Sequence, residues 1–164
     1  MIGQQMQDAF NDHIQAEIDS AYLYLAMAVH CEAQNLKGFA HWLRVQHGEE
    51  LTHAYKLIDY LLERGGKVAL KAIAAPPADF GTPLKVFEKV YEHEQAVTKR
   101  IHGLFEKAVG ERDLAAQVFL QWFVSEQVEE EAHTSEIVEK IRFLGDKASA
   151  LLYLDKELGK RTAG

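Results

Sequence analysis

Midway along the chain, between two pairs of long segments with helical period, lies a stretch (67–81) that holds Pro76, Pro77 and Gly81 and has no sustained period. This connector constrains the fold more than any other feature. Turns between adjacent bundle helices take about 2–8 residues, and this gap is about twice that. At roughly 3.3 Å per extended residue it spans ~50 Å, more than the ~42 Å of a ~28-residue helix. The spacing therefore predicts two helical hairpins joined by a strap that crosses the length of the bundle, the single-crossover variant of a four-helix bundle. An unordered lid over a site is the competing reading of the same stretch.

The segments have their own start and stop signals. The first runs over about 5–33 and the second over 37–64, stopped by Gly65–Gly66. The third, 83–110, opens with Thr82 as N-cap and Pro83 at the first helical position. Asp113 caps the fourth, 114–144, and Asp146 a short fifth, 147–158. A chain of 164 residues with 48% hydrophobic content and three prolines suits one all-α domain over 1–164. A net charge of −7 speaks against a nucleic-acid partner, which calls for a basic face. Cys31 stands alone, which excludes a disulfide framework and a cysteine-based zinc or iron–sulfur site; on its helix it reads as a small buried hydrophobe. With no apolar run of spanning length and no signal segment, no membrane association and a cytoplasmic location are expected.

Each of the four long helices breaks its apolar face with a carboxylate. At about 100° per residue, Phe10, Ile14, Ala21, Tyr24 and Ala28 share one stripe with Glu17 at its centre. Phe39, Leu43, Ala54, Leu57 and Leu61 share another with Glu50, and His53 follows one turn on. Phe87, Tyr91, Thr98 and Ile101 surround Glu94, while Phe119, Phe123, Thr134, Ile137 and Ile141 surround Glu130, flanked by Glu126 and Gln127. With the crossover topology and ~1.5 Å rise per residue, Glu17 lies ~18 Å above the floor where the first helix starts. Glu50 and His53 lie ~18–22 Å up, Glu94 ~24 Å, and Gln127 and Glu130 ~21–26 Å. Buried charges cost several kcal/mol each unless compensated, and no Lys or Arg falls on these stripes to pair them, so a metal-free interaction bundle is disfavoured. Acids and one imidazole at a common depth need cations.

Carboxylates with one imidazole suit iron or manganese rather than structural zinc. The Glu50-x-x-His53 spacing puts two ligands on one face a turn apart, so that Glu50 can bridge two ions while His53 binds one. Glu130-x-x-His133 has the same spacing, but His133 would sit ~30 Å up and reads as a helix-border histidine. On spacing alone, the ligand from the fourth helix stays open among Glu126, Gln127 and Glu130.

These residues make the chain resemble the non-haem ferritins of bacteria and archaea, over nearly its whole length. The segments Glu49–Glu50–Leu51–Thr52–His53, Tyr91–Glu92–His93–Glu94 and Glu126–Gln127–Val128–Glu129–Glu130–Glu131 carry the resemblance, with runs at 17–24 and 154–158. It implies that Glu17, Glu50 and His53 hold a first iron and that Glu50, Glu94 and Gln127 hold a second. It further implies a third iron beside the pair at Glu49, Glu126, Glu129 and Glu130, and makes Tyr24 an electron donor next to the centre. Leu51 occupies the place of the methionine ligand of haem-binding relatives, so no haem is expected. The implied function is iron storage: oxidation of Fe(II) by O2 or peroxide, and mineral held inside a hollow shell of 24 subunits. On a lone bundle, Leu151, Leu152 and Leu154 of the fifth helix would be exposed, so the shell is expected to cover them. A di-iron oxidase or peroxidase that protects against oxidative stress is the alternative. Its rubrerythrin-like form needs a Cys-rich module, which a chain with only Cys31 lacks. A small DNA-protecting ferritin relative would place its metal between subunits, against the within-chain set here.

Overall fold

The computed structural model describes residues 1–145 and 147–164. It contains α1 (Gln4–Ala33), α2 (Lys37–Glu63), α3 (Pro83–Gly110), α4 (Leu114–Leu144) and α5 (Ala148–Leu158), and no strand among the described residues. The predicted helices thus form within about a residue of their expected ends. Thr82 accepts from the Lys85 N–H and Asp113 from the Ala116 N–H, which fills donors that the first turns of α3 and α4 leave open. The expected cap Asp146 lies outside the described residues. No helix among the described residues is long and apolar enough to cross a membrane.

Three helices end in the same way. Gly66 N–H reaches Leu61 O and Gly65 N–H reaches Leu62 O, the paired bonds of a left-handed C-terminal cap, with Gly65 at φ 72°. Asn35 (φ 60°) and Arg112 (φ 56°) play the part of Gly65 after α1 and α3. Asparagine tolerates that conformation, whereas arginine adopts it against its Cβ.

The strap between α2 and α3 is pinned rather than loose. Gln7, Asn11 and Gln15 recur every fourth residue along α1. Gln7 Oε1 accepts from Lys67 N–H (2.8 Å), Asn11 Oδ1 from Ala69 N–H (2.7 Å) and Gln15 Oε1 from Lys71 N–H (2.9 Å). The registers agree because four helical residues rise ~6 Å, close to the ~6.6 Å of two extended ones. At the far end Phe80 is buried, and Gly81 O accepts from His30 Nε2 at 2.9 Å. This anchoring rules against the loose-lid reading. One end of the bundle is tied too, where Arg64 pairs with both Asp113 oxygens at 3.1 and 3.0 Å.

α5 docks on the start of α2. The N-cap Leu36 offers no side-chain acceptor, and the Asp155 carboxylate takes the Gly38 and Phe39 N–H groups instead, at 2.8 and 2.9 Å. Gly38 is required there, since a Cβ would come 1.5 Å from Asp155 O. The docking corrects the expected exposure of α5. Leu154 is 7% exposed within the chain's own core and Leu151 packs half-buried against it, whereas Leu152 is open to solvent.

The apolar interior is divided. One half gathers Met6, Phe10, Ile14, Leu57, Leu61 and Phe123; the other gathers Tyr24, Met27, Phe39, Leu43, Phe87 and Val138. Between them runs a buried polar layer.

Candidate metal centre

The layer draws on all four long helices. Glu17 from α1, Glu50 and His53 from α2, Glu94 from α3, and Gln127 and Glu130 from α4 are each at most 5% exposed. Each sits on the inward stripe of its helix, so the local period that buries Phe10 or Leu57 buries these acids as well.

One potential ligand atom each from Glu17, Glu50 and His53 lies within 4.8 Å of the other two. His53 Nδ1 is 3.6 Å from Glu17 Oε2 and 3.9 Å from Glu50 Oε2. The rings of Trp122 and Phe123 meet the His53 imidazole edge-on, at 5.4 and 6.0 Å between centroids, and hold its plane. Glu94 is held from two sides, by the Tyr24 hydroxyl on Oε1 and by Gln127 Nε2 on Oε2 at 3.1 Å. With its nitrogen so committed, Gln127 has its carbonyl oxygen left for a cation. Gln46 Nε2 bridges Glu50 Oε1 (3.1 Å) and Glu130 Oε2 (3.0 Å).

The electrostatics show a layer short of positive charge. No Lys or Arg is buried among the described residues. Burial and then the Glu17 and Glu94 charges push Glu50 well above the usual carboxylate range. Burial also raises Glu94, against the lowering bonds from Tyr24 and Gln127. Burial, then Glu94, lifts Glu130 to about 7. Glu17 goes the other way: burial opposes its charge, but the imidazoles of His13 and His53 outweigh burial and hold it well below the usual range. His13 Nε2 stands 2.8 Å from Glu17 Oε1, while Oε2 is buried with no hydrogen-bond donor. Buried orphans of this kind are rare in folded proteins. Carboxylate oxygens with open lone pairs beside an imidazole fit a hard or borderline divalent cation such as Fe(II).

The remaining predicted residues lie elsewhere. Glu49 and Glu126 are half-buried, Glu129 is exposed, and they line a cleft beside the layer with Glu130 and His133. Gln127 and Glu130, which spacing alone could not separate, are both buried, at 3% and 4% exposure. Sequence reasoning missed His13 and Gln46, buried at 4% and 0%. Each stands four residues before an acid of the layer, so the i,i+4 rule could have flagged both.

A crossover bundle with a buried carboxylate–imidazole layer defines the class of helical carboxylate-type metal-binding proteins. Residues 7–144 match the ferritin-like domain, and the chain belongs to the ferritin family. It is 45% identical to a bacterial non-heme ferritin of Bacteroides fragilis over 161 residues, covering 98% of this chain and all of that one. A bacterial non-heme ferritin of Staphylococcus aureus is 37% identical over 162 residues, 99% of this chain and 98% of that one. Among solved structures, the open-pore ferritin of the hyperthermophilic archaeon Archaeoglobus fulgidus superposes with a TM-score of 0.98 at 54% identity, covering 99% of this chain and all of that one. A closed form of the A. fulgidus ferritin, engineered by site-directed mutagenesis, gives the same score and identity over all of both chains.

Proposed function

We propose that this chain, acting as one domain over 1–164, is an iron-storage subunit with ferroxidase activity that assembles into a closed shell of 24 copies. The observation that carries the reading is the buried Glu17–Glu50–His53 cluster, whose potential ligand atoms lie within 4.8 Å of one another. Iron is the substrate here. Glu17, Glu50 and His53 take one Fe(II), and Glu50, Glu94 and the Gln127 carbonyl take a second, with Glu50 shared between them. Hard carboxylate ligands favour Fe(III) over Fe(II), so the pair together gives two electrons to O2 or peroxide. Tyr24, whose hydroxyl donates to Glu94, supplies a further electron in this reading.

Binding displaces the protons that raised pKa values place on Glu50 and Glu94. Gln127 is neutral and a weaker ligand than a carboxylate, so the second ion leaves more readily, which suits a substrate on its way to storage. Glu49, Glu126, Glu129 and Glu130 receive a third, more loosely held iron on the route to the mineral.

The double variant Glu50→Ala/His53→Ala tests the assignment. Fe(II) oxidation, followed by absorbance and oxygen uptake, should fall to the rate of iron in buffer, while helix content and particle size are retained. Removing Glu50 relieves like-charge crowding in the layer, and His13 remains beside Glu17 to hold its charge. Wild-type oxidation by this variant refutes the assignment.

A further inference from the structure

The segment after α5 folds back over the outer acidic cleft and places a guanidinium in it. Arg161 Nη2 pairs with Glu49 Oε2, and Glu49 Oε1 accepts from Gly164 N–H at 3.0 Å, so both oxygens of Glu49 are engaged. Arg161 is itself held from other directions. Its guanidinium lies 4.1 Å over the Trp42 ring, Nη1 donates to Trp42 O at 3.3 Å, and Arg161 O accepts from His41 Nε2 at 2.8 Å. The two charged side chains are only 17% and 16% exposed. The cleft they share is lined by Glu126, Glu129, Glu130 and His133.

Lys140 and Lys160 also line the cleft but pair with Glu136 and Glu157; we propose that Arg161, the cation that engages Glu49, sets how tightly the cleft retains a third metal ion. The proposal rests on the reading of Glu49, Glu126, Glu129 and Glu130 as a metal site. An ion arriving there finds Glu49 taken and meets the positive charge of Arg161. It must either displace the guanidinium or do without one carboxylate. The apparent affinity is then reduced by the fraction of time the clasp is open. A partly exposed ion pair reinforced by stacking on an indole keeps it shut by a factor between about three and thirty. The consequence suits storage, since an ion that has left the inner pair is held weakly and passes on.

Terbium(III), a redox-silent ion that prefers oxygen ligands, tests this without reference to activity. Crystals of wild type, Arg161→Ala, Arg161→Gln and Arg161→Lys are soaked over a terbium concentration series, and occupancy is read from anomalous scattering at each site. The cleft should fill at a concentration about three- to thirty-fold lower in Arg161→Ala. Arg161→Lys should restore much of the wild-type behaviour, and filling at the Glu17–Glu50–His53 site should not move. Arg161→Gln keeps side-chain length without charge and gives the same reading should the alanine variant fold poorly. Terbium in the cleft at equal or higher concentration in both neutral variants overturns the role of Arg161 alone. A cleft that stays empty in every protein overturns the third-site reading and this proposal with it.

Discussion

Glu130 carries the layer's chemistry to a solution property. Burial and then the Glu94 charge raise its carboxyl from 4.5 to about 7. Glu50 and Glu94 are raised by burial in the same direction. Between those two pH values the folded, metal-free protein binds protons that the unfolded chain has released, so its stability falls as pH rises across the window. Glu17 contributes with the opposite sign: its depressed carboxyl adds stability above its ordinary value of 4.5, lost only as the solution becomes strongly acid. Each raised acid steepens the decline by up to about 1.4 kcal/mol per pH unit. Glu130→Gln should therefore flatten the decline by about one proton between roughly pH 5 and 7. Denaturant unfolding of chelator-stripped wild type and variant checks this; equal slopes would show that Glu130 is not titrating in that range. Bound metal should reverse the trend, because it requires the deprotonated acids.

Among the elements, the strap has the least helix and the most explicit anchoring. Asn11 is its central pin: Oδ1 accepts from Ala69 N–H, and Nδ2 donates to Lys67 O at 2.9 Å. Replacing Asn11 with Ala leaves a strap amide and carbonyl without these partners, at a cost of about 1–3 kcal/mol. The loss should be local, with faster hydrogen exchange at Ala69 and Lys71 and unchanged protection in α2 and α4. Unaltered exchange at Ala69 would mean that the strap is held by something other than this ladder. α5 is held differently, through the Asp155 carboxylate on the α2 N-terminus, where it satisfies open donors and the helix dipole together.

Across the whole molecule, large apolar side chains stand open at one end of the bundle. Phe143 is 92% exposed, Tyr153 68% and Leu152 61%, and they come from the α4–α5 end of the bundle. Phe143 and Tyr153 line one groove between α4 and α5; exposed apolar surface of that kind marks an interface, and closed symmetric assembly is the usual way to cover it. Gel filtration of the pure protein should show one large particle at micromolar concentration. Phe143→Glu with Leu152→Glu should shift it to small species that keep their helix content. A stable wild-type monomer across ordinary salt would remove the argument for a shell.

Chain order alone displays what the helical period and local capping control: the helix bounds, the crossover demanded by a long connector, and the acid at the centre of each stripe. These follow from contacts within a few residues of one another, which the chain order displays directly. It did not separate Gln127 from Glu130, because residues three apart share a face and either is buried by the same rotation of α4. Nor did it show that Arg112 ends α3 in a conformation usually left to glycine, or that Leu154 is covered by the chain's own core. The reach of Gln46 across to Glu130, the Asp155 cap on α2 and the Arg161 clasp on Glu49 arise only in the folded chain, because each joins groups on different elements. Such contacts depend on how far each helix is turned and how closely it approaches, quantities that the packing of the two apolar halves determines and that no local period encodes.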